Sequence, residues 1–271
     1  MQFMGAWLVS ASAASVDVAG GPVTSSSRVA ATLPGESASR RRRPNASGGH
    51  MGTFERVNLF YGVDHQQVYA ALEEFWHQEE HTLNLEDVHD VNLDSYALHE
   101  RRGDWTVLKW TRGWEWDLRR RAQLHVSRAY DCPGLLVFIY DDDFWGCELF
   151  HHGTVIDQFQ QETGNIGSFF GDLPCQGRPD LLLAQFPALN LDIEHARGYL
   201  THYSIDDPGY EDIDWENELD PLNSPIRPSD GYGRLEGGVY WDFQNFLGVD
   251  HYAPVWRRFT TSPQAPTRTD K

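Results

Sequence analysis

Three short apolar segments follow one another between Leu135 and Phe159, and two breaks of polar turn residues separate them. Segments of this length, rich in β-forming residues, predict a three-stranded antiparallel meander. The glycine that ends the second break supplies the positive φ that a tight hairpin needs. We expect the rest of the globular part to pack on this sheet. The two breaks are Asp141-Asp142-Asp143 and His151-His152-Gly153.

Apolar residues at helical spacing predict two longer helices before the meander. Asp64 is a candidate N-cap for a helix over residues 65–80, and a second helix is predicted over residues 116–130. Strands are predicted over 55–61, 96–100 and 105–111. The order of strand, helix, two strands, helix and three strands resembles two βαββ units. It predicts an α+β fold in which helices cover one face of an antiparallel or mixed sheet.

The remaining segments have weaker patterns. Three shorter helices are predicted in the second half of the chain, and residues 82–95 are predicted to be a polar connection without regular structure. Residues 206–230 are acidic and contain four prolines, which is typical of an exposed loop. The Pro- and Thr-rich residues 259–271 predict a flexible tail. The shorter helices are predicted over 180–186, 192–203 and 239–247.

Residues 1–50 differ in composition from the rest of the chain. They are rich in Ala, Ser, Gly and Val, end in four consecutive arginines and show no amphipathic period, so we expect a disordered leader. One alternative is a transit peptide, because the segment is poor in acids. Another is upstream sequence before a start at Met51. Residues 51–258 are predicted to form a single α+β globular domain.

The charge of the chain limits its partners. The net charge is -18, and residues 1–50 hold two acids and five bases, which leaves 38 acids and 17 bases in residues 51–271. So acidic a globular part repels nucleic acid and anionic membranes and attracts basic proteins or cations. Solubility alone also explains such a charge. No run approaches 18 apolar residues, so no transmembrane helix is predicted.

The three cysteines indicate the redox compartment. Cys132, Cys147 and Cys175 are odd in number and scattered, and no CxxC pair is present to form a zinc knuckle. This usage is typical of a reducing compartment, which predicts a cytoplasmic protein. We expect no bound cofactor, except for zinc if the motif described next binds a metal.

One short motif suggests metal chemistry. Residues 77–81, His-Gln-Glu-Glu-His, resemble over five residues the H-x-x-E-H zinc motif of the inverzincin peptidases. The resemblance implies that His77 and His81 lie one helical turn apart and bind zinc, with Glu80 as the base. Those enzymes add a glutamate ligand, for which Glu148 and Glu162 are candidates here. A solvated helix end is the alternative interpretation of the motif.

Two further groups are candidate binding residues. Asp141, Asp142 and Asp143 provide the oxygen ligands that Mg²⁺ or Ca²⁺ prefer, although such residues also form ordinary turns. Trp105 and Trp110 belong to a cluster of four tryptophans within twelve residues, which is typical of an aromatic binding wall or of core packing.

Motifs for nucleophilic catalysis, phosphate binding or dinucleotide binding are missing from the sequence. The leading hypothesis is therefore an acidic interaction protein without enzymatic activity. An inhibitor of a basic protein, such as an immunity-type inhibitor of a basic toxin, would fit this description. The alternative is a metal-dependent hydrolase that uses His77, Glu80 and His81 with zinc.

Overall fold

An eight-stranded antiparallel sheet with helices on both faces forms the protein, as described by a computed structural model for residues 54–87, 95–110, 116–141, 144–162, 176–203, 224–234 and 237–264. The strands are β1 (Phe54–Tyr61), β2 (His81–Glu86), β3 (Tyr96–His99), β4 (Trp105–Trp110), β5 (Gly134–Tyr140), β6 (Phe144–His151), β7 (Thr154–Gln160) and β8 (Val255–Pro263). The helices are α1 (His65–Gln78), α2 (Trp116–Tyr130), α3 (Pro179–Gln185), α4 (Ile193–Tyr199) and α5 (Val239–Phe246). The predicted α+β class is confirmed.

The strand order in the sheet is β2-β8-β3-β4-β1-β5-β6-β7. The predicted meander is confirmed as β5, β6 and β7, which pair in sequence. At the tip between β6 and β7, His152 and Gly153 have φ of 51° and 71°. Two central residues with positive φ define the hairpin turn whose twist matches that of the strands.

The two faces of the sheet carry separate cores because successive side chains of a strand point to opposite sides. On β1, Leu59 belongs to the core under α3, α4 and α5, whereas the next residue, Phe60, belongs to the core under α1 and α2. Val107 and Leu108 on β4 divide in the same way. The prediction that helices cover one face was wrong, since the apolar sides of α3, α4 and α5 need the second face.

Helix α1 begins where the sequence predicts and ends earlier. Asp64 accepts a hydrogen bond from the Gln66 amide at 2.8 Å, and Gln67 Oε1 accepts from the Asp64 amide at 3.1 Å, which completes a capping box. The helix ends at Gln78, and Glu80 has a φ of 58° that turns the chain into β2. Residues 82–86, predicted to be part of a connection, therefore belong to the edge strand β2.

Residues 259–263, assigned above to a flexible tail, are the second half of β8, a strand between β2 and β3 in the interior of the sheet. Phe259 is fully buried and stacks on Tyr96 with ring centroids 5.0 Å apart. The boundary predicted at residue 258 was therefore wrong. The burial of Phe259 holds this segment in the sheet although the residues around it are polar. The predicted leader, 1–50, lies outside the described residues, as do residues 204–223 of the predicted loop.

Candidate functional site: a polar pocket between helix α2 and the sheet

A pocket lined mainly by polar residues lies where α2 crosses the central strands. Its volume is about 210 Å³, part of which is open to solvent, and its centre has room for about one water molecule. Val57 and Leu59 of β1 face the opposite core. Arg56 and Asn58, which alternate with them along the strand, therefore face α2. The lining residues are Arg56, Asn58, Trp110, Arg119, Arg120, Gln123 and Leu136.

Two amide side chains at the pocket are fully buried and lack hydrogen-bond partners within the described part of the chain. They are Asn58 of β1 and Gln123 of α2, and neither the oxygen nor the nitrogen of either amide is paired there. The indole nitrogen of Trp110 is also unpaired among these residues. A buried polar group without a partner costs about 1–3 kcal/mol, so this site favours the binding of water or a polar ligand.

Three arginine side chains border the pocket in an otherwise acidic protein. Burial, with a smaller contribution from the nearby Arg119, lowers the pKa of Arg56 to about 10. The guanidinium carbon of Arg119 lies 4.8 Å from the centroid of the Trp110 ring, a cation–π contact. The lowered pKa shows that a charge on Arg56 is costly in this buried position, and an anion close to it would offset that cost.

Glu148 of β6 is the acidic group next to the pocket. Its Oε1 lies 2.9 Å from Arg120 Nη2 and accepts a hydrogen bond from Gln158 Nε2 at 2.6 Å, and its Oε2 has no partner among the described residues. Burial raises the pKa of Glu148, while Arg120 and Gln158 lower it and offset part of this effect. Glu148 is therefore paired with one of the three guanidinium groups that border the pocket.

Trp105 and Trp110, the two tryptophans suggested above as binding residues, lie on opposite faces of the sheet and form no common aromatic wall. Trp110 borders the pocket, with Trp76 in the same core. Trp105 belongs to the other core, where its indole nitrogen donates to the Leu247 carbonyl at 2.8 Å and its ring packs against Phe186. Their separation by five positions in one strand puts them on opposite sides.

The H-x-x-E-H motif does not form a helical pair. His77 lies in the last turn of α1, but His81 begins β2, so the two imidazoles are not on one helix face. His77 Nδ1 is 2.9 Å from Gln264 Nε2, and His81 Nδ1 is 2.7 Å from the Glu79 carbonyl oxygen. Of the suggested third ligands, Glu148 is bound to Arg120 instead.

The predicted aspartate cluster is only partly described. Asp141 directly follows β5 and is exposed. Its positive φ of 53° is typical of a turn residue. Asp142 and Asp143 lie outside the described residues. Within the described ranges, a different group brings three candidate metal ligands together, namely Asp131, His151 and His152.

The sequence contains a signal for the pocket that the pattern of apolar residues does not reveal. Arg56 and Asn58 alternate with Val57 and Leu59, and Glu148 interrupts the apolar strand β6. Polar residues inside buried strands require partners, so their positions mark a polar site. Gln123 carried no such signal, because a glutamine on a helix is usually exposed.

Comparisons with protein-family models, with curated proteins and with solved structures found no match. In the described part of the chain, none of the helices has the length and apolar character needed to cross a membrane.

Proposed function

We propose that this protein binds a small oxyanion, such as a carboxylate or phosphate group, in the pocket under α2. The observation that carries the proposal is the pair of fully buried amides, Asn58 and Gln123, whose polar atoms lack partners among the described residues beside three arginines. A water molecule would satisfy the hydrogen bonds of the amides but would not offset the charge of the arginines. An oxyanion would accept from the amide nitrogens and also offset the positive charge, through the fork geometry that guanidinium groups offer to oxyanions.

The size of the pocket restricts the ligand. Its free centre is about the size of one water molecule, so a compact oxyanion enters only when the surrounding side chains move apart. Acetate, phosphate and sulfate are suitable probes. A ligand with a larger body would place its anionic group in the pocket and extend towards the solvent-exposed opening.

Thermal denaturation in different anions tests the proposal. Each probe is compared with chloride at constant ionic strength, which removes the general salt effect. A probe at 100 times its Kd stabilises the folded state by about 2.7 kcal/mol, which raises the Tm by roughly 5–10 °C for a protein of this size. Isothermal titration calorimetry with the best probe then gives the Kd and the stoichiometry, for which we expect one site.

The variant Gln123→Leu separates binding from folding. Without ligand its stability should equal or exceed that of the wild type, because the change removes an unsatisfied buried amide. Its stabilisation by the anion should fall strongly. Gln244→Leu is the matched control, since Gln244 is equally buried but lies on α5 in the opposite core and donates to the Tyr240 carbonyl at 3.3 Å.

The control should lose stability and keep the full increase in Tm with the anion. Failure of all probes to raise the Tm above that in chloride would refute the proposal. An equal response of wild type and Gln123→Leu would also refute it.

We propose a second, independent function, which is recognition of a basic protein. The supporting observation is the distribution of charge: residues 204–223 contain eight acids and no lysine or arginine, in a chain of net charge -18. An inhibitor of a basic protein would use such an acidic segment to accelerate association and to select its partner. Electrostatic association of this kind weakens as salt increases.

A pull-down with the full chain at low and high salt, followed by a titration with the purified candidate, tests this second function. We expect a complex of defined stoichiometry that neutral substitution of the eight acids abolishes. Neutralising Glu73 and Glu74, which are exposed on α1, is the control and should leave the complex intact. A complex that survives the change in 204–223 would contradict the proposal.

A cytoplasmic location belongs to the same proposal. Cys132 and Cys147 are both free and buried. Burial raises the pKa of Cys132 to about 12 and that of Cys147 well above its ordinary value, so both thiols are unreactive at neutral pH. Free thiols held in this way fit a reducing compartment.

A further inference from the structure

The end of α2 and the tip of the β6–β7 hairpin are fixed to each other through one buried hydroxyl. Ser127 Oγ donates to the Cys132 carbonyl at 2.7 Å and accepts from the Gly153 amide at 3.2 Å. The Cys132 amide donates to the Ser127 carbonyl at 3.1 Å, which closes the end of the helix. Residues 131 and 151–153 therefore have a defined relative position although they are 20 residues apart in the chain.

Three side chains from these two segments converge. Asp131 and His152 both have left-handed backbone conformations, with φ of 50° and 51°. His151 Nε2 lies 3.9 Å from Asp131 Oδ1, and His152 Nδ1 contacts the same oxygen. The two imidazole rings are stacked, with centroids 3.8 Å apart and planes at 15°. One candidate donor atom from each residue lies within 4.8 Å of the other two.

We infer that Asp131, His151 and His152 form a binding site for a divalent transition metal ion, with Zn²⁺ as the representative. Two imidazole nitrogens and one carboxylate oxygen are a ligand set that suits zinc, nickel and copper better than calcium or magnesium. A tetrahedral ion with bonds of about 2.0–2.1 Å places its donors about 3.4 Å apart. The two rings must rotate out of their stacked arrangement so that a nitrogen of each points at the same ion. The remaining positions are open to water.

The charges around the cluster agree with this inference. The carboxyl end of a helix carries a partial negative charge, and Asp131 directly follows the last residue of the 15-residue helix α2. Arg128 is the opposing cation, with its Nη2 3.5 Å from the Gly153 carbonyl, so its guanidinium contacts the back of the turn.

Calorimetric titration of the full chain with ZnCl2, after removal of bound metal by a chelator, tests the site. We expect one equivalent of zinc to bind and little response to CaCl2. The variants Asp131→Asn, His151→Ala and His152→Asn should each weaken binding by more than about tenfold. Asparagine is chosen at positions 131 and 152 because it tolerates the left-handed backbone conformation.

The double variant His77→Ala with His81→Ala is the matched control, since it removes two imidazoles from the H-x-x-E-H motif. Its zinc binding should equal that of the wild type. As a second measurement on the wild type, low concentrations of Cu²⁺ should broaden the imidazole NMR signals of His151 and His152 before those of other histidines.

Three results would overturn the inference. They are failure of the wild type to bind zinc, unchanged zinc affinity in the three site variants, and loss of binding in the control. If a site variant fails to fold, the order in which Cu²⁺ broadens the wild-type signals decides the question.

Discussion

Arg120 Nη2 lies 2.9 Å from Oε1 of Glu148, a carboxylate whose side chain is completely buried on a strand in the interior of the sheet. The arginine is the more exposed partner, with 28% of its side chain accessible. A charge on Glu148 therefore depends on Arg120 and on the hydrogen bond from Gln158, because water does not reach it.

The pH dependence of stability should report on this carboxylate. Because burial raises the pKa of Glu148 above its ordinary value of 4.5, the folded protein retains a proton that the unfolded chain has released. The stabilisation from this group is complete below the unfolded pKa and is lost as the pH rises through the folded pKa.

Glu148→Gln removes this titration and isolates its effect. The free energy of unfolding of the wild type minus that of the variant should decrease as the pH rises from 4.5 and then become constant. Urea denaturation of both proteins between pH 4 and pH 8 measures the difference. A difference that increases over the same range would mean that Arg120 and Gln158 outweigh the burial.

Truncation of β5 should show how much the central sheet contributes to stability. Ile139 of this strand is 3% exposed and lies within the core under α3, α4 and α5. Ile139→Ala should reduce the free energy of unfolding by about 2–4 kcal/mol, from lost burial and the cavity that remains. His151→Ala, measured with a chelator present, should cost less than about 0.5 kcal/mol. The reverse order, seen in denaturant melts, would mean that this strand is not central.

Phe259 should be essential to the C-terminal part of the sheet. Its ring is fully buried and packs against Tyr96 and Tyr69, at centroid distances of 5.0 and 5.8 Å. Phe259→Ala should therefore cost about 3–5 kcal/mol. Ser262→Ala in the same strand is the control and should cost little, because Ser262 Oγ only accepts an exposed hydrogen bond from Asn84. Thermal melts that show two equally stable variants would support the flexible tail after all.

Gly153 should tolerate alanine less well than Gly62 does. Both have positive φ, 71° and 76°, so alanine at either position costs about 1–2 kcal/mol for the left-handed conformation. A Cβ at Gly153 would also lie 2.7 Å from Arg128 Cβ and 3.0 Å from the Leu124 carbonyl oxygen, whereas one at Gly62 would have no atom within 4 Å. Equal losses of stability in the two variants would show that the hairpin tip does not press on α2.

The elements that sequence patterns predicted are those with a strong local signal. Helix α1 has an apolar face and a capping box, and the meander has apolar strands separated by turns. Strands β2 and β8 lack such a signal. Leu85 of β2 is 61% exposed, and Phe259 is the single buried residue of β8. Their pairing joins segments about 175 residues apart, as in Leu85 with Phe259, which a local pattern does not contain.

The candidate sites were harder to predict than the fold for a related reason. The pocket depends on Asn58 from β1 and Gln123 from α2, which come together only when the helix packs on the sheet. The proposed metal site needs Asp131 from one turn and His151 and His152 from another, and hydrogen bonds of Ser127 hold these two turns together. By contrast, the H-x-x-E-H motif satisfies a sequence pattern, yet Glu80 reverses the chain in its middle.

The position of β8 has a consequence for how the protein is made. β2 is formed by residues 81–86, but its strand partner in the sheet is β8, which ends at residue 263. On the ribosome, β2 can therefore join the sheet only after residues 255–263 have been synthesised. Until then the edge of β3 lacks β8, and an unpaired strand edge invites pairing with other chains. A chain that stops short of residue 255 would leave that edge exposed permanently, so premature termination favours aggregation through β3.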